Sequence, residues 1–167
     1  MKKIITLLAV IGMLSLQGCT TTTDSDYVDN DTIGTVFETG TVSFTTTNNF
    51  IVRYNFPGTI YDSDMVLVYR LAGIVNGADL WEFLPETYYF ADGTRDFSYN
   101  FNFTKSYVDI YLNGNDLISV PSGNRLNQIF RIVIVPANFA TSLKSTNYNV
   151  VMSALNIKDN QIQKIDF

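Results

Sequence analysis

The chain has 167 residues, 16 acidic against 11 basic side chains for a net charge of −5, one cysteine and no histidine. Without an imidazole, His-based triads, His-ligated metals and His acid–base catalysis are excluded. A lone thiol forms no intramolecular disulfide, and an acidic body lacks the basic face that replaces counterions on nucleic acid.

Met1-Lys2-Lys3 is a short basic start, Ile4 to Leu16 is an almost unbroken apolar run, and Leu16-Gln17-Gly18-Cys19 follows. A positive end, an apolar stretch and a small residue at a cleavage point make a secretory signal, here residues 1–18. The run is too short to cross about 30 Å of hydrocarbon as a lasting helix. Leu16-Gln17-Gly18-Cys19 resembles the lipobox of bacterial lipoproteins. That resemblance implies cleavage before Cys19, lipidation of its thiol, and attachment to the membrane through a lipid anchor. An incidental cysteine in an ordinary secretory signal, or a structural thiol, is the alternative.

After Cys19 come Thr20 to Thr23 and the acidic stretch Asp24-Ser25-Asp26-Tyr27-Val28-Asp29-Asn30-Asp31. A segment so poor in apolar residues cannot offset its ordering entropy, so residues 19–39 are expected to form a disordered acidic tether. Acidic residues close behind a lipid cysteine resemble the surface-export signal of Bacteroidetes-type lipoproteins; a solvated spacer is the plainer reading. The stretch lacks the glycine and terminal glutamate of an EF-hand loop. Asp31-Thr32-Ile33 matches the short O-glycosylation motif of the same bacteria, making Thr32 a candidate acceptor.

Residues 40–167 read as short strands between turns. Val42 and Phe44 share a face in Thr41 to Thr45, and Asn48-Asn49 turns into Phe50 to Phe56, whose even positions are apolar. Met65 to Ala72 is apolar on both sides, as in a strand covered on both faces. Asn76-Gly77 and Asp92-Gly93 are hairpin turns, the first leading to Leu80 to Leu84 and the second joining Tyr88-Tyr89-Phe90 to Phe97–Thr104. In Phe97–Thr104 four aromatics alternate with four polar residues, the period of a half-buried strand. Val108, Ile110 and Leu112 alternate with Tyr107, Asp109 and Tyr111, and the β-branched run Ile129–Val135 predicts a central strand. Tyr148, Val151, Met152 and Leu155 predict a helix of about three turns, capped by Ser145, Thr146 or Asn147. Ile162 to Phe167 returns as an edge strand. About nine strands with one late helix predict a mainly β fold: an antiparallel β-sandwich, immunoglobulin-like or jelly-roll-like, with one short C-terminal helix. A small barrel is the runner-up. A membrane barrel fits less well, because Arg53, Arg70, Asp109 and Arg131 lie along the strands.

Several stretches carry a resemblance: Ser63 to Gly73, Asp79 to Gly93, Phe97 to Thr104, Phe130 to Ala140 and Tyr148 to Ile157, behind a lipobox start. Together they are similar to a group of uncharacterised lipoproteins from flavobacteria and other Bacteroidetes, which implies an outer-membrane location. Some members carry collagen-like repeats after the lipid cysteine, where this chain has its Thr/Asp-rich stretch. Others bear a dihydrolipoamide dehydrogenase label, which this chain contradicts: it has no Gly-x-Gly-x-x-Gly and no redox cysteine pair.

No constellation carries catalysis. Glu82, Glu86, Asp92, Asp96 and Asp109 offer carboxylates, but at turns and solvent faces, where such residues ordinarily sit. The expectation is a non-catalytic domain with no cofactor, serving structure or interaction with an envelope protein. Trp81, Tyr88, Tyr89, Tyr107 and Tyr111 are the candidate contact residues, because flat aromatic faces stack on sugars and anchor interfaces. They support the alternative of a surface carbohydrate-binding module in a glycan-uptake system. Tyr107 and Tyr111 are favoured, since both oppose Val108, Ile110 and Leu112; ordinary core is the competing reading for all five.

Overall fold

The structure, a computed structural model, describes residues 34–140 and 143–166. The expected signal segment 1–18, the lipidation candidate Cys19 and the glycosylation candidate Thr32 lie outside them. Nine strands are present among the described residues: β1 (Thr35–Thr39), β2 (Ile51–Asn55), β3 (Met65–Val75), β4 (Ala78–Phe83), β5 (Glu86–Tyr89), β6 (Arg95–Phe103), β7 (Tyr107–Gly114), β8 (Phe130–Val135) and β9 (Gln163–Ile165). Helices α1 (Ser122–Arg125) and α2 (Ala137–Ala140) are single turns, and α3 (Tyr148–Ala154) follows near the C-terminus.

The strands form a β-sandwich. One sheet has the order β4-β3-β8-β1-β9, the other β2-β7-β6-β5. β8 lies at the centre of the five-stranded sheet, as its β-branched run predicts; five of its six residues are buried. The inner faces meet in one core, with Phe37, Val66, Val68, Phe130 and Ile132 from the larger sheet opposite Val52, Phe97, Tyr99, Val108 and Ile110. Each such side chain contributes about 1.5–3 kcal/mol by leaving water. The alternation read in β7 holds: Val108, Ile110 and Leu112 are buried, and Tyr107, Asp109 and Tyr111 point outward.

A second apolar cluster lies on the outer face of the five-stranded sheet, where Val36, Leu67, Tyr69, Val133 and Val135 pack against Tyr148, Val151 and Met152 of α3. Asn147 caps this helix, its side chain accepting from the backbone N–H groups of Asn149 and Val150. The architecture therefore has three layers: smaller sheet, larger sheet and C-terminal segment.

Four expectations need correction. The folded body starts before residue 40, because Thr35–Thr39 pairs with β8 and belongs to the larger sheet rather than to a tether. Glu38 disguises that strand, yet ion pairs with Arg131 and Lys164 let it sit buried. Thr41–Thr45 makes only an isolated bridge, Val42 with Gln128, although Val42 and Phe44 are buried as expected. The helix spans seven residues, two turns rather than three. Finally, the sheets are not wholly antiparallel: β9 pairs parallel with β1.

Candidate functional site

Two buried arginines organise the polar interior. Arg131 of β8 is held by Glu38 at 2.7 Å, with its guanidinium 4.1 Å from the Trp81 ring and hydrogen-bonded to the Tyr148 hydroxyl. Burial alone raises the Glu38 pKa, but hydrogen bonds from Lys164 and Arg131 outweigh it and hold the carboxyl below its ordinary range. Arg70 of β3 donates to both carboxylate oxygens of Glu86, at 2.8 and 2.9 Å, and to the Tyr88 hydroxyl at 2.7 Å. Desolvation and the bond to Glu86 push the Tyr88 hydroxyl up to about 12, against the pull of Arg70. Both clusters tie strands together around a buried guanidinium.

The five candidate aromatics do not form one cluster. Trp81 is half-buried on β4, its ring 5.6 Å from that of Tyr148, and so belongs to the covered outer face. Tyr88 lies between the sheets, stacked on Phe97 at 4.6 Å. Tyr89 stands out at the β5–β6 turn. Tyr107 and Tyr111 share the outer face of the four-stranded sheet, uncovered among the described residues, with Arg53, Asp109, Asn100 and Asn102. There Arg53 pairs with Asp109 at 2.7 Å and lays its guanidinium 3.7 Å over the Tyr107 ring, occupying that stacking face. Tyr111, flanked by Ile51 and Asn100, is half-buried.

A different surface exposes more apolar area. β3 runs eleven residues, whereas its neighbour β8 has six and pairs only with Met65 to Arg70. Leu71 to Val75 therefore continue past the body as a two-stranded arm with β4, closed by Asn76 and Gly77 at φ 52° and 81°. On this arm Ile74 is 71%, Val75 53% and Leu80 40% exposed; at the β5–β6 turn Tyr89 is 65% and Phe90 53% exposed.

Both turns lie at one end of the sandwich. Phe37, opposite Ile132, packs on Tyr54, opposite Val108; Phe130 packs on Tyr99, opposite Leu112. Passing from Ile132 to Phe130 thus runs the same way as passing from Val108 to Leu112, toward both hairpin tips. β4 leads through Leu84-Pro85 straight into β5, and the Arg70–Glu86 pair clamps the roots of the two hairpins together. β1 enters at the opposite end, where Thr35 faces Ile134.

Ile74, Val75 and Leu80 were not among the sequence candidates. The legible signal is Ile74-Val75 immediately before Asn76-Gly77, an apolar pair too near a turn to reach a core. Among the described residues no group of His, Cys, Asp or Glu is arranged to hold a metal ion, and no helix is long and apolar enough to cross a membrane. No protein-family model matches the chain, and neither a curated protein nor a solved structure is detectably similar to it.

Proposed function

We propose that this chain is a bacterial lipoprotein held at the outer membrane through Cys19, whose β-sandwich is a non-catalytic module for structure or protein interaction at the envelope. The lipobox-like start and the resemblance to flavobacterial lipoproteins support the location. The interaction role rests on one observation: large apolar side chains stand exposed on two clamped hairpins at the end of the sandwich remote from where β1 enters. Large apolar side chains gathered in solvent at one end of a fold mark a contact surface. Cys19→Ala is expected to abolish acyl labelling and move the protein out of the membrane fraction; unchanged membrane association rejects the anchor.

The second reading is a carbohydrate-binding module. It is favoured by Tyr111 lying beside Asn100, Asn102 and the Arg53–Asp109 pair on a sheet face that, among the described residues, no other layer covers. A glycan array probed with the soluble body and with Tyr111→Ala tests it. Selective binding lost in the variant, at unchanged melting temperature, supports it, and a blank array rejects it.

A further inference from the structure

We infer that the two hairpin tips form a docking site for a protein partner that presents apolar side chains flanked by lysine or arginine. The inference rests on the interaction reading above and adds the place and the chemistry of the partner.

Three observations carry it. Ile74, Val75 and Leu80 on one arm and Tyr89 and Phe90 on the other expose five large apolar side chains at one end. Tyr89 is of the type that most often anchors an interface, and the apolar side chains around such an anchor exclude water from it. The arms are also held in place at their roots: Arg70, 6% exposed, binds Glu86 through two hydrogen bonds and Tyr88 through a third. A rooted patch loses less ordering entropy on binding than a loose one.

Charge then selects the occupant. Beyond the clamp the two hairpins carry Asp79, Asp92 and Asp96 against Arg95 alone, and Glu82 stands level with the clamp, opposite Arg70. Arg95 is engaged with the Asn113 side chain, and Asp92 with the Thr94 hydroxyl. An apolar centre with an acidic surround is repelled by an anionic lipid surface and by a second copy of itself, and it complements a basic-rimmed apolar patch.

The test is site-specific photo-crosslinking in intact cells with the full-length chain. A photoreactive phenylalanine stands at Leu80, at Phe90 or, for comparison, at Tyr111 on the sheet face. The expected result is one discrete adduct from positions 80 and 90 and none from 111. The crosslinked peptide of the partner should map to a stretch with Lys or Arg beside apolar residues. Ile74→Thr, at a residue already in solvent, should leave melting unchanged yet lower the adduct roughly tenfold, as loss of an anchor does. In isolated membranes the yield should fall as salt rises.

An adduct to a second copy overturns the inference, as does binding of the soluble body to phosphatidylglycerol vesicles through the same residues. An adduct from 111 alone sinks this site while leaving the interaction reading intact. No adduct from any position removes both.

Discussion

The two outer faces of the sandwich solve the same problem in opposite ways. On the five-stranded sheet, β3 and β8 are apolar on both sides, and α3 closes over them with Tyr148, Val151 and Met152. On the four-stranded sheet, β7 strictly alternates, leaving Tyr107, Asp109 and Tyr111 half-buried on a face over which the described residues lay no further layer. A continuous apolar run therefore marks a strand with a cover, and alternation marks a strand without one. The contrast extends to charge. Glu38 and Arg131 are both buried beneath the cover, whereas in the equivalent pair the Asp109 side chain is mostly covered and Arg53 stands in solvent.

That contrast is sharpest in Glu38→Ala. The substitution leaves the Arg131 guanidinium buried against Trp81 and Tyr148, with Asp159 at 3.8 Å as the remaining acid. Stranding one member of a buried pair costs about 3–5 kcal/mol, which chemical denaturation will register. The same pair carries a pH signature. Glu38 has its folded pKa depressed, so its contribution is fully present above the unfolded glutamate value. It is lost as pH falls through the folded value. Acid melting curves of the native chain should steepen there, and Glu38→Gln should flatten them. Identical acid limbs would show that the pair is not coupled to folding.

Trp81→Ala comes next. Its ring touches both Tyr148 and the Arg131 guanidinium and is only half-buried, so a loss of about 2 kcal/mol is expected, below the full range for a core tryptophan. Unchanged melting with weakened ligand binding would instead return Trp81 to the role of a contact platform. Tyr69→Phe should act in the opposite direction. Among the described residues the Tyr69 hydroxyl is the buried side-chain polar atom without a hydrogen-bond partner, and removing an unpaired group of this kind should raise stability by about 1 kcal/mol. A loss on substitution would mean that the hydroxyl has a partner in solution.

The sandwich, the hairpin turns, the central place of Ile129–Val135 and the late helix were legible because each rests on period or turn chemistry, which are local properties. β1 was not. Its Glu38 reads as part of an acidic tether until Arg131, 93 positions away, is seen to neutralise it. The helix fell short for a related reason: Leu155 continues the apolar stripe, but Asn156 at φ 53° turns the chain out of the helix. Of the candidate contacts, Tyr107 and Tyr111 were correctly assigned to the outward face of their strand. The protruding arm was missed because exposure of Ile74 and Val75 depends on where β8 begins pairing with β3, a tertiary register that composition does not carry.

The smallest effect belongs to the uncovered face. Arg53 binds both carboxylate oxygens of Asp109, at 2.7 and 2.8 Å, and its own pKa is raised chiefly by that bond. Because the side chain is solvent-exposed, water and salt recover most of what the pair supplies, and Arg53→Ala should leave the melting temperature unchanged. The substitution does uncover the Tyr107 ring, now shielded by the guanidinium at 3.7 Å. If this face stacks on sugars, binding should strengthen as a second ring becomes available. If Arg53 itself grips the ligand, binding should disappear. A measurable fall in stability would show that the open pair resembles the buried one after all, and that the two faces differ less than their sequences suggest.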